Sequence, residues 1–345
     1  MPASRKKTNW EKLGDEELLD WRFCDFKLTI SGTHLEGRIN QLYREIARRD
    51  IRFRPHCWLA EEWFSPDGVP GIGIPFYMAH PRLAKLEFHQ MFEVEGGSAR
   101  YCMQLLRHEA GHAICTAFRL HRRKRWRLLF GRFSKPYPDY YIPNTKSRNH
   151  VLHLDWWYAQ SHPAEDFAET FAVWLRPKSD WRRQYRDWPA IRKLEYVNEL
   201  MQEIAGKTAP VRSRRKVEPL SSVRKTLREH YRAKREHYGI EIPEIYDGEL
   251  RRLFPDYTEL NGTRKRRSAA AFLRQIRPEI SQLCAHGIGE SPYVIAQLLQ
   301  DMIVRCREMK LYVTRPEEEM KIEVAVFVSL QTLNFLHNIR HRIAV

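Results

Sequence analysis

His108-Glu109-Ala110-Gly111-His112 puts two imidazoles four residues apart with a carboxylate between them. On a helix these two histidines share one face, one turn apart, so both can bind a single zinc ion. Glu109 can reach a water on the same metal and act as its general base. The chemistry implied is hydrolysis of an amide bond. Fifteen histidines in 345 residues make an accidental match easier, so the surroundings must carry part of the argument. From Tyr101 to Leu120 there is no proline, and Leu105, Leu106, Ala113, Ile114, Ala117 and Phe118 are apolar. The pattern predicts a buried helix with a polar notch at His108, Glu109 and His112. A notch without a metal would strand polar groups away from water.

A hydrolytic zinc needs a third protein ligand and a fourth position for water. The metzincin pattern, with a third histidine six residues after His112, is absent, because that position is Phe118. The alternative is a carboxylate from a later helix. Ser161-His162-Pro163-Ala164-Glu165-Asp166-Phe167-Ala168-Glu169 supplies one. Pro163 suits a first helical turn, and Glu165 and Asp166 suit the positive end of the helix dipole. Glu165 and Glu169 share a face. Glu165 can bind the metal, and Glu169 can accept the spare N–H of a ligand histidine. The plain alternative is an acidic solvated face. His150, His153 and His162 are rival ligands on less regular templates.

With these residues assembled, the chain resembles gluzincin-type peptidases, and most closely a bacterial family of zinc-binding metallopeptidases. Thr29–Thr33, Glu62–Gly71 and Trp157–Pro163 share the likeness, which covers roughly residues 27 to 200. The resemblance implies a zincin fold with one zinc per chain. The cysteine-rich ribbon that often precedes such domains is missing. The resemblance also points to Tyr158, seven residues before Glu165, as a donor to the oxyanion formed when water attacks a carbonyl. The equal alternative is an aromatic packed beside Trp156 and Trp157. Tyr140 and Tyr141 are weaker candidates.

The fold class expected is α+β, with a zincin-like domain followed by a mostly helical one. The expected divisions are a polar lead-in over 1–26, the metallopeptidase domain over 27–206, a basic linker over 207–218 and helices over 219–345. Phe53–Leu59 and Ile72–Ala79 read as strands separated by Pro and Gly turns. Ile74–His80 is the candidate edge that pairs with an extended substrate. Gly131–Asn149 carries Pro136, Pro138 and Pro143, too many for a helix, and reads as a loop lining the cleft. The second metal-site helix is expected from Pro163 to Leu175, and another over Ala190–Ala205. Ser291-Pro292 and Thr314–Glu317 mark later helix starts. The helix from Glu318 to Arg340 is apolar on much of its girth, hence buried or paired.

Composition bounds the rest. Net charge is +16, from 59 basic and 43 acidic residues. The basic runs at 122–127, 212–216 and 264–267 are short and lack a nucleic-acid-binding signature, so no nucleic acid is expected as partner. Six scattered cysteines read as thiols in a reducing compartment. The first residues are polar rather than a signal peptide, and Val324–Leu336 is too short to span a bilayer. A cytoplasmic location and a peptide or protein substrate are expected. The C-terminal helices offer a surface for a protein partner or self-association. The rival reading is a non-catalytic zinc protein that regulates or docks, with four protein ligands closing its site.

Overall fold

The computed structural model describes residues 9–91, 94–238, 247–255, 267–288, 292–337 and 343–344. Helices dominate, with a small parallel sheet, so the mixed α+β class stands. Ser291 and the chain beyond His337, both parts of the expected helix boundaries, lie outside the described residues except for Ile343–Ala344.

The first half runs α1 (Asp15–Leu19), α2 (His34–Ala47), β1 (His56–Ala60), β2 (Gly71–Pro75), α3 (Pro81–Met91) and α4 (Ala99–Phe118). There follow α5 (Lys124–Leu129), β3 (Tyr140–Tyr141), α6 (Pro163–Leu175), α7 (Trp181–Gln184), α8 (Ile191–Ile204) and α9 (Leu227–Tyr238). In α2, Leu35, Ile39, Leu42 and Ile46 recur at helical spacing and all are buried. This face packs on α4, the helix that bears the His-Glu-His motif. Behind the motif, Arg107 forms a bidentate pair with Glu45 at 2.7 and 2.8 Å, with both residues buried.

β1 and β2 pair in parallel, His56 opposite Gly71 through Ala60 opposite Pro75. The candidate substrate edge at Ile74–His80 is corrected here. Every residue of β2 is buried, Phe64 bridges Gly73 from its other side, and Phe76–Ala79 turns into a buried 3-10 helix. The backbone groups expected to face a peptide are therefore already enclosed.

Two hydrophobic cores divide the described chain, but not at 207–218. Leu220, Leu227 and Tyr231 belong to the first core, and the second begins at Leu250. The basic stretch is a strap rather than a loose linker. His56 Nε2 bonds to the carbonyl of Arg215 at 3.0 Å, and Trp58 Nε1 donates to that of Val217 at 2.9 Å. The lead-in is likewise built in, since Leu18, Leu19, Phe23 and Phe26 are buried in the first core. Short apolar insertions within charged sequence carry these contacts, and their partners lie some 200 residues away, as in Trp21 accepting from Leu227 N–H.

The second core joins α10 (Asp247–Leu253), α11 (Ala269–Ile288), α12 (Pro292–Glu308) and α13 (Glu317–His337). On α13, Met320, Val324 and Val328 are buried, whereas Ile322, Val326, Leu330 and Leu333 form an exposed apolar stripe. The expectation that this helix is buried or paired is met by burial on the face that carries Met320, Val324 and Val328. β4 (Ile343–Ala344) pairs antiparallel with β3. No helix among the described residues is long and apolar enough to cross a membrane.

The Arg107–Glu45 pair gives a stability prediction. Glu45→Ala leaves a buried guanidinium without its partner and should destabilise the first half by about 3–5 kcal/mol in urea unfolding.

Candidate metal centre

Two helices build the site. Ser98 caps α4 by accepting from the Tyr101 N–H at 3.1 Å, and α4 runs unbroken to Arg119, which adopts a left-handed conformation. α6 starts on Pro163, and its cap is His162, whose Nδ1 accepts from the Ala164 N–H. The helices touch backbone to backbone where Gly111 meets Ala168. A Cβ built on Gly111 would stand 2.8 Å from the Ala168 Cα and 3.0 Å from its carbonyl oxygen. That closeness lets short side chains from both helices converge.

His108, His112 and Glu165 meet at one point. Glu165 Oε2 lies 2.9 Å from His108 Nε2 and 3.1 Å from His112 Nε2, and the two nitrogens are 3.1 Å apart. A tetrahedral zinc with ligands at about 2.0–2.1 Å sets its ligand atoms about 3.3–3.4 Å apart. A slight opening of the triangle therefore admits the ion. Two further observations favour a cation here. Glu109 is 6 % exposed, and its Oε2 has no hydrogen-bond partner among the described residues. Glu109, Glu165 and Glu169 also crowd three buried carboxylates around two imidazoles.

The electrostatics follow from that crowding. Burial pushes the Glu109 carboxyl up, only partly offset by His108 and His112. Burial acts the same way on Glu165, but the two imidazoles outweigh it and hold that carboxyl well below its usual range. Burial alone would lower the His108 pKa, yet its hydrogen bonds to Glu165 and Glu169 raise it well above normal. The protein so arranged stores positive charge between its acids, and a metal ion can supply that charge instead.

Glu169 sits one turn beyond Glu165 and is fully buried. Its Oε1 accepts from His108 Nδ1 at 2.8 Å and its Oε2 from the Leu154 N–H at 2.8 Å. This leaves Nε2 of His108 to face the cluster. Tyr158 lines the same cleft, with its ring 5.7 Å from that of His108. The turn before it is strained, because Trp156 and Trp157 both adopt left-handed φ of 57° and 55°. Tyr141 holds the turn by donating its hydroxyl to the Trp156 carbonyl at 2.7 Å. Burial, then the charge of Glu165, raises the Tyr158 pKa, so the phenol keeps its proton.

None of the rival histidines joins the His108–His112–Glu165 group. His162 Nε2 donates to the Lys135 carbonyl, His153 donates to that of Gln104, and His150 lies 3.8 Å from Asp166. Asp166 instead pairs with Lys193 at 2.6 Å, joining α6 to α8.

One residue beside the His108–His112–Glu165 group escaped the sequence reading. Tyr137, in the proline-rich loop, donates its hydroxyl to Glu165 Oε1 at 2.6 Å and stacks on His162 at 3.8 Å between ring centroids. Burial and the Glu165 charge push its pKa up, so it too remains a donor. Its only signal was membership of that loop. The loop lines a cleft of about 1210 Å³, together with Glu62, Asp67, Glu87, Tyr158 and the metal-site residues.

Residues 96–181 match the model of a family described as "Putative zinc-binding metallo-peptidase". No curated protein and no solved structure matches the chain. The matched span contains α4, the cleft loop and all of α6.

The α4–α6 contact gives the next prediction. Gly111→Ala forces the two backbones apart, which should cost about 1–3 kcal/mol in thermal unfolding and weaken zinc binding in a chelator competition.

Proposed function

We propose that this protein is a zinc-dependent metallopeptidase built on a zincin-like unit, and that it hydrolyses peptide bonds in the cleft above α4 and α6. The observation that carries this reading is the convergence of His108, His112 and Glu165 beside Glu109, a buried carboxylate with one oxygen that has no hydrogen-bond partner among the described residues. The family match over residues 96–181 supports it.

His108 Nε2, His112 Nε2 and Glu165 Oε2 are the donors that would hold the ion, one zinc per chain. When bound, zinc would polarise a carbonyl and lower the pKa of water toward about 7. Glu109 accepts the proton of the attacking water and later delivers it to the leaving amine. Glu169 fixes the His108 tautomer through its 2.8 Å hydrogen bond. The Tyr158 phenol faces the same space and donates to the developing oxyanion.

Seven carboxylates line the cleft against two lysines, although the whole chain carries +16. A polyanion is repelled from such a surface, which favours a polypeptide over nucleic acid as the molecule acted upon. The six free cysteines fit a reducing cytoplasm. The bare stripe on α13 supports contact with another protein or a second copy of the chain. The rival reading, a closed structural zinc, requires a fourth protein ligand. The His-His-Glu group is the one potential metal cluster among the described residues, and it contains three.

Two variants test the proposal. Glu109→Gln should retain zinc but lose peptide hydrolysis by about 10²–10⁴-fold, read on a mixture of fluorogenic peptides. Efficient cleavage by that variant removes Glu109 from its role. Glu165→Ala should lower the zinc content measured by metal analysis, and unchanged stoichiometry would place the third ligand elsewhere.

A further inference from the structure

The two oxygens of Glu165 have different fates. Oε2 faces both imidazoles at 2.9 and 3.1 Å. Oε1 is taken by the phenol of Tyr137 at 2.6 Å. A carboxylate with both oxygens free can chelate one cation through the pair and so consume two coordination positions. A charge-assisted O–H···O bond this short commits one oxygen to the phenol. The ligand count then stays at three, and a vertex remains for water or a carbonyl.

The phenol is itself held in place. Its ring lies parallel to that of His162 at 3.8 Å, with an interplanar angle of 20°. His162 is fixed at both nitrogens, one capping α6 and the other donating to the carbonyl of Lys135, two residues before Tyr137. The loop thus binds the start of the helix, and the tyrosine that follows reaches over to the third residue of that same helix. This is a closed mechanical ring of Lys135, Tyr137, His162 and Glu165.

We propose that Tyr137 is a positioning residue that keeps Glu165 a one-oxygen ligand and thereby preserves the open coordination position. The inference rests on the metallopeptidase reading for its purpose but not for its test. In that frame Tyr158 and Tyr137 divide the work: one faces the reacting carbonyl and the other governs the ligand.

The experiment uses the full chain, stripped of metal and reloaded with Co²⁺ alone, comparing the native protein with Tyr137→Phe. Cobalt reports coordination number through its visible absorption, with intense bands for four ligands and weak bands for five. The native protein should give the intense spectrum and Tyr137→Phe the weak one, with circular dichroism unchanged because the ring is half exposed. With zinc, the variant should lose kcat by about 10–100-fold with little change in KM. Identical cobalt spectra would overturn the proposal whatever the kinetics, and so would failure of the native protein to take up cobalt. If the native protein binds cobalt yet cleaves no peptide with zinc, the peptidase reading fails, while the spectra still decide the part played by Tyr137.

Discussion

Everything at the centre depends on how closely α4 and α6 approach. The side chains of His108, His112 and Glu165 are short, and their tips meet at 2.9–3.1 Å. Gly111 opposite Ala168 sets the spacing that permits this. The surrounding structure maintains that approach. Arg107 and Glu45 brace α4 from behind, Lys193 pulls on Asp166 from beyond α6, and Glu169 stitches the two helices through His108. These braces are buried charges, so each is costly to break singly. The site is therefore fixed by strong polar contacts rather than by close packing alone.

A second layer of order comes from the cleft loop. Residues 131–149 make almost no regular structure, yet they touch Glu165 through Tyr137 and the strained turn through Tyr141. The strain at Trp156 and Trp157 is located where it sets the direction of Tyr158. The bond from the Tyr141 phenol to the Trp156 carbonyl and the burial of Trp157 help to hold this disfavoured backbone.

What could be read from the sequence was local. The α4 motif, the Pro163 start of α6 and the irregular loop follow from spacing, capping and proline chemistry within a few residues. Contacts that join distant segments could not be read that way. Nothing in the residues around Tyr137 says that its phenol reaches Glu165, 28 positions on. The strand at 71–75 has the composition of an edge or an interior strand equally, and only the bridge from Phe64 decides between them. The charged stretch at 207–218 looked like a boundary because its side chains are polar. Its backbone, which composition does not describe, is what the fold holds.

That strap has a consequence for how the chain can change. His56 and Trp58 grip carbonyl oxygens, a group every residue has, while Arg214 to Lys216 are exposed. Attachment of this kind is blind to residue type. Its path can stay constant while its charge drifts, so the basic character of the strap is open to adjustment by substitution at little cost to the architecture it crosses.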